Sequence, residues 1–254
     1  MHKYCLCIAY DGSQYSGWQF QPNAISIQQT LQETITTLIR QEVSVVGSGR
    51  TDAGVHALNQ MAHFTSLVPI QTEQFFRSIN GMLPKDIRVK RVVEVPLTFH
   101  AQQSAIKKEY HYKICLDPIV SPFEKLYCLH VPFTIDIELL KEAATLFLGT
   151  HDFSSFANSQ SEGAAKKNPV RTLYRLDVVQ TDSGIRLEFE GNGFLYKMVR
   201  NIVGMLLQVA SKKRSIKEIP VLFEAKDRRL APMASAAKGL FLVKVSYPDL
   251  FETL

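Results

Sequence analysis

Two places in this sequence put charged groups where local structure alone does not ask for them. In "GSGRTDAGVHALNQMAHF", residues 47–64, the chain leaves the apolar run "VSVV" for a glycine-bracketed turn carrying Arg50 and Asp52. A turn uses glycine for backbone freedom and Asp for a carboxylate that caps nearby amides, and neither use requires an Arg two residues earlier. The pair reads either as an Asx-turn beside a solvated Arg or as a positioned carboxylate kept ionised by a guanidinium. In "EFEGNGFLYKMVRNIVG", Tyr196, Arg200 and Gly204 recur at four-residue spacing on one helical face. Arg200 sits among Met198, Val199, Ile202 and Val203, so it either snorkels to solvent or takes a carboxylate partner, for which Asp52 is a candidate. Gly204, one turn on, admits another backbone at close range.

Competing chemistries find less support. "GSGRTDAG" is glycine-rich but lacks the P-loop spacing, and no Gly-x-Gly-x-x-Gly opens a helix. His56, His63, His100, His111, His151 and Asp152 offer possible metal ligands without a specific ligand spacing, so no metal site is expected. No nucleophile-elbow pattern is present. A non-catalytic RNA-binding or RNA-chaperone protein is the alternative from another class. It has no aromatic RNP1 strand here and no use for a carboxylate aimed at a polyanion.

The 254 residues suffice for one large or two small domains, and 46% hydrophobic with 21% charged content fits a soluble globular chain. The apolar stretches fall short of a bilayer span, so no membrane association is expected. The start "MHKYCLCIAYDG" lacks a signal-peptide layout, and four cysteines without paired metal spacing suit buried free thiols; a cytoplasmic location is expected. The net charge of +5 is modest, but basic residues cluster at 85–91, at Lys107 and Lys108, at Lys166, Lys167, Arg171 and Arg175, at 212–214, and at Arg228 and Arg229. Each cluster suits a solvated face, and their recurrence suits a phosphate-tracking surface.

The elements that position these residues follow one order twice. Residues 3–10 alternate as a strand. Ser26 caps a helix with Ile27, Leu31, Ile35, Leu38 and Ile39 on its apolar face. "EVSVVG" and "QMAHFTS" are strands, "TEQFFRSINGML" is a helix with Phe75, Phe76, Ile79 and Leu83 inward, and "IRVKRVVEV" is a strand. In the second half "EYHYKICL" is a strand, and "DIELLKEAATLFLG" is a helix ended by Gly149. "RTLYRLDVVQ" and "IRLEFEG" form a hairpin, "LYKMVRNIVGMLLQVAS" is a helix, and "LFLVKVSY" is a closing strand, with "SIKEIPVLFEA" an extra helical piece before it. The order β-α-β-β-α-β is the ferredoxin-like split unit. The expected fold is therefore α+β, two ferredoxin-like halves (residues 1–104 and 105–254) with mainly antiparallel sheets and a cleft between them. The polar stretch "THDFSSFANSQSEGAAKKNP" has no periodicity and reads as a long loop, a kind usually functional or disordered.

Blocks spread along the chain carry a resemblance. "YDGSQYSGWQFQP", "GRTDAGVHA", "FHA", "GTHDFSSF", "GNGFLYKMVRNIVG" and "KGLFLVKVSY" resemble, in order and nearly end to end, the TruA-type tRNA pseudouridine synthase family. The resemblance implies an isomerase that converts uridine to pseudouridine at positions thirty-eight, thirty-nine and forty of the tRNA anticodon stem–loop, as a homodimer, without cofactor or metal. It puts the catalytic aspartate at Asp52, the paired arginine at Arg200, the base-stacking tyrosine at Tyr110, a nucleotide-positioning arginine at Arg50 and an apolar pocket residue at Leu242. Two blocks depart from the family pattern: "FHAQQSAIKKEY" has Gln102, Gln103 and Lys108 where an aromatic and arginines are usual, and "LAPMASAAKGL" replaces a proline- and threonine-bearing segment. The chemistry fits: uracil must leave its sugar, rotate and rejoin through carbon, which requires a base out of the stack and a stacking surface for it.

Overall fold

A computed structural model describes residues 1–158 and 168–248. The chain divides into two compact units, the first made of Met1–Lys108 with Phe241 onward and the second of Glu109–Leu240. The fold is α+β with mostly antiparallel strand pairing.

In the first unit β1 (His2–Tyr10) is the central strand, antiparallel to both β3 (His56–Ser66) and β4 (Ile87–Val95). Two helices accompany the sheet, α1 (Ile27–Ile39) and α2 (Thr72–Met82). The helix start expected at Ser26 holds, its hydroxyl accepting from the Gln29 amide at 3.2 Å. Ile27, Leu31 and Ile35 are fully buried. On α2, Phe75 and Ile79 are buried as expected, whereas Phe76 is 37% exposed because its position falls off the inward stripe. The strand expected over "EVSVVG" shrinks to β2 (Val46–Gly47), which meets β3 only at His63 and Ala62.

In the second unit β5 (Lys107–Cys115), β9 (Gly184–Gly191), β8 (Val170–Thr181) and β7 (Gly149–Asp152) follow one another across the sheet, with β6 (Leu129–His130) parallel to β5. The expected hairpin between β8 and β9 pairs Asp177 with Glu188 and closes at Thr181 and Gly184. Helices α3 (Ile137–Thr145), α4 (Met198–Ala210) and α5 (Glu218–Ala225) complete the unit. Helix α3 stops earlier than expected: Leu146 caps it in a right-handed conformation, and Gly149, at φ +93°, opens β7 instead. The stretch expected as an unstructured loop thus begins with a strand and a 3-10 turn at Ser154–Phe156, and its residues 159–167 lie outside the described residues.

The closing strand β10 (Leu240–Ser246) runs parallel to β3, with Phe241 opposite His56 and Leu242 opposite Ala57, so most of it falls in the first unit rather than in an unbroken segment from 105 onward. All four cysteines are free and buried. Burial pushes the Cys5 thiol up to about 12, leaving it protonated and inert at neutral pH.

Candidate active site

The turn that carries Asp52 is fixed from below by backbone and side-chain bonds. The Ser48 amide donates to the Met61 carbonyl at 2.7 Å, and its hydroxyl donates to Gln60 Oε1 at 2.7 Å. Gln60 Nε2 reaches the Gly49 carbonyl at 3.0 Å. Lys108, which stands where the family pattern has an arginine, donates to the Ser48 carbonyl at 2.6 Å. The other side of the turn is held through Thr51, whose hydroxyl meets Tyr10 Oη at 2.8 Å and whose carbonyl accepts from the Trp18 amide at 3.0 Å. Burial pushes Tyr10 up to about 12, so this phenol keeps its proton and its hydrogen bond at neutral pH. Val55 closes the loop with a 3.1 Å bond to the Asp52 carbonyl, and Gly54 takes the φ of +75° the turn demands. Asp52 is half-buried and Arg50 exposed on this frame.

Two glycines show how tightly neighbouring chain packs on it. A Cβ on Gly17, at φ +92°, would lie 2.5 Å from the Thr51 carbonyl oxygen. A Cβ on Gly47 would lie 2.5 Å from the indole of Trp18. His56, just past the turn, stacks on Phe241 at 4.6 Å between centroids, and its Nδ1 lies 3.1 Å from both the Gly12 amide and Asp11 Oδ1. That is a packed histidine between turn and strand. Leu242, two residues into β10, is fully buried.

In the second unit, Tyr110 and Tyr112 share the inward face of β5. Tyr110 is nearly buried, with Phe194 packed edge-on at 5.0 Å and 78°. Tyr112 donates to the Ala236 carbonyl at 2.7 Å; burial raises its pKa and the nearby Arg200 charge opposes that rise. Arg200 projects from the first turn of α4, where its Nε donates to the Ser235 carbonyl at 2.8 Å, and the Ser235 amide returns a 3.0 Å bond to the Arg200 carbonyl. A Cβ on Gly204 would stand 2.4 Å from the Met233 carbonyl oxygen, which is the close backbone approach expected of that position. Residues 231–236 therefore run along α4 as its partner and seat the arginine.

Several of the clustered basic groups are occupied within the protein. Arg175 bonds Glu109 at 2.9 Å, Glu188 at 2.5 Å and Asp177 at 3.3 Å. Arg171 donates to the carbonyls of Asn168 and Val170. Arg229 pairs with Asp227, whose carboxyl that guanidinium holds down at about 2. Glu109, His111 and Glu188 could offer three ligand atoms within 4.8 Å of one another. The Arg175 and Arg186 guanidinia already sit on those carboxylates, and a cation would have to displace them. The group is a half-buried ion-pair network across β5, β9 and β8.

The chain belongs to the tRNA pseudouridine synthase family, a family of isomerases, whose model it matches over residues 6–102 and 143–248. Among its relatives, the tRNA pseudouridine synthase A 1 of Protochlamydia amoebophila (strain UWE25) is 58% identical over 250 residues, covering 98% of each chain. The tRNA pseudouridine synthase A of Chlamydia muridarum (strain MoPn / Nigg) is 43% identical over 252 residues, covering 97% of this chain and 92% of its own. That of Limosilactobacillus reuteri (strain DSM 20016) is 39% identical over 252 residues, covering 97% of each. No helix among the described residues is long and apolar enough to cross a membrane.

Proposed function

We propose that this protein isomerises uridine to pseudouridine at positions thirty-eight, thirty-nine and forty of the tRNA anticodon stem–loop, as a cytoplasmic homodimer that needs neither metal nor cofactor. Asp52 is the catalytic carboxylate. Arg200 is its paired arginine, Tyr110 packs against the extruded base, Arg50 positions the flipped nucleotide, and Leu242 closes the apolar side of the pocket. The observation that carries this reading is the framing of the Asp52 turn, held on one side by Ser48, Gln60 and Lys108 and on the other by Tyr10 and Trp18. An Asx-turn on a solvated loop has no need of so many fixed partners, whereas a catalytic carboxylate must be held within a fraction of an ångström of its substrate atom. Stacking on an aromatic face contributes about 1–3 kcal/mol per base, enough to offset much of the cost of extrusion.

Anticodon stem–loop transcripts with a single uridine at each of the three positions, incubated in chelator and mapped by carbodiimide-dependent reverse-transcription stops, test this reading. Stops at those positions support it. A folded protein that binds the transcripts and produces no stop points to the non-catalytic RNA-binding alternative, and a requirement for added metal contradicts the metal-independent chemistry.

A further inference from the structure

Every nitrogen of the Arg228 guanidinium has a partner inside the second unit. Nη2 donates to Asn201 Oδ1 at 2.8 Å, Nη1 to the Ala231 carbonyl at 2.9 Å, and Nε to Asn158 Oδ1 at 3.3 Å. Asn201 is fully buried and its amide is complete, since Nδ2 donates to the Phe156 carbonyl at 2.8 Å and to Asn158 Oδ1 at 3.0 Å. The Asn158 backbone N–H in turn donates to the Tyr196 carbonyl at 3.0 Å. Asn201 is the buried centre of this network and Arg228 and Asn158 are half-buried, and so many mutual bonds hold the three side chains in one arrangement. Its arginine is therefore not the phosphate contact that a basic pair at 228 and 229 suggests.

Each arm ends on backbone that flanks Arg200. Asn201 is the next residue along α4. Tyr196 precedes Lys197, which starts the helix in a left-handed conformation (φ 59°, ψ 8°) with no side-chain cap of its own. Such a start is strained for a non-glycine residue and persists only where the surroundings impose it. Ala231 begins the segment whose Ser235 exchanges two hydrogen bonds with Arg200. One planar fork thus ties together the helical turn that bears Arg200 and the segment that seats its side chain.

We propose that Arg228 is a positioning residue for Arg200, acting through Asn201, Asn158 and Ala231 to set the geometry in which α4 and residues 231–235 present the Arg200 guanidinium. This rests on the role given to Arg200 above. A lysine at 228 keeps the charge but loses the fork, and it cannot reach three acceptors lying in one plane.

The test is a double-mutant cycle on the full chain: kcat and KM for a tRNA transcript with wild type, Arg228→Lys, Arg200→Lys and the double variant, each checked for cooperative thermal unfolding. Arg228→Lys is expected to lower kcat about 10- to 100-fold, as misplacement of a catalytic group does, with KM within about twofold of wild type. The double variant should be no slower than Arg200→Lys alone, because both changes remove one function. An unchanged kcat, or losses that multiply, overturns the proposal. So does a raised KM with a salt dependence of binding shallower by about one, the mark of a phosphate contact. Wild-type kcat in Arg200→Lys would instead remove the role assigned to Arg200 itself, a separate result. Should Arg228→Lys not fold, Asn158→Ala enters the same cycle with the same outcomes, since it removes two side-chain bonds of the network and leaves the backbone bond to Tyr196 in place.

Discussion

Arg200 and Ser235 exchange two hydrogen bonds: Arg200 Nε donates to the Ser235 carbonyl at 2.8 Å, and the Ser235 amide donates to the Arg200 carbonyl at 3.0 Å. The reciprocal contact joins a helix to a segment without secondary structure of its own, and it fixes side chain and backbone of the same residue at once. An arginine so held loses little conformational entropy when it meets an anionic partner, which suits the pairing with Asp52 proposed above.

The contact depends on Gly204. In Gly204→Ala the new methyl would lie 2.4 Å from the Met233 carbonyl, so residues 231–235 must move away from α4. The expected result is a loss of about 1–3 kcal/mol in stability together with a reduced kcat, read by urea unfolding and by turnover on tRNA. Unchanged turnover would separate the seating of Arg200 from catalysis.

The turn bearing Asp52 has a matching sensitivity at Gly17. Alanine there meets both a φ of +92° and the Thr51 carbonyl oxygen at 2.5 Å. Gly17→Ala should destabilise the protein by about 1–3 kcal/mol and depress kcat more than KM, because the change falls on the turn that presents Asp52. Paired chemical denaturation and steady-state kinetics check both halves.

Acid sensitivity should trace in part to His63. Burial, with His100 and Lys3 nearby, lowers its pKa from 6.5 to about 4, and its Nδ1 accepts a 3.1 Å bond from the Ala101 amide that protonation would break. Between pH 6.5 and about 4 the unfolded chain therefore binds a proton that the folded chain does not, and stability falls as pH falls across that window. Below about 4 this contribution levels off. In His63→Asn, where the side-chain oxygen replaces Nδ1 as acceptor, urea midpoints should decline less steeply over the same window. Equal slopes for the two proteins would remove His63 as the source.

Most of the fold was legible because its signals are local. The strand at 87–95 and the helix start at Ser26 appear where alternation and capping put them, and the hairpin closes at its turn residues. Misplacements arose where tertiary contacts decide. Phe76 follows a hydrophobic count rather than a helical angle, "EVSVVG" is apolar yet touches β3 at only two residues, and Gly149 looks like a helix stop while serving as a strand start. The placement of β10 beside β3 is a long-range pairing that periodicity does not encode. At the proposed site, turn chemistry singles out Asp52 and the poverty of polar neighbours singles out Arg200, while the seat of Arg200 on Ser235 is a contact only the fold reveals. Asn201 and Asn158 leave no sequence signal, and Arg228 reads there only as half of a basic pair. Their meaning lies in bonds spanning 27 to 70 residues of chain.

The central claim, that Asp52 performs the chemistry, is tested most directly by tritium release from tRNA carrying uridine labelled at carbon five, with wild type and Asp52→Asn compared in chelator at equal tRNA occupancy. Wild type should release tritium and the variant should lose about 1,000-fold or more, with tRNA affinity kept within about threefold. Release by Asp52→Asn at the wild-type rate would contradict that claim.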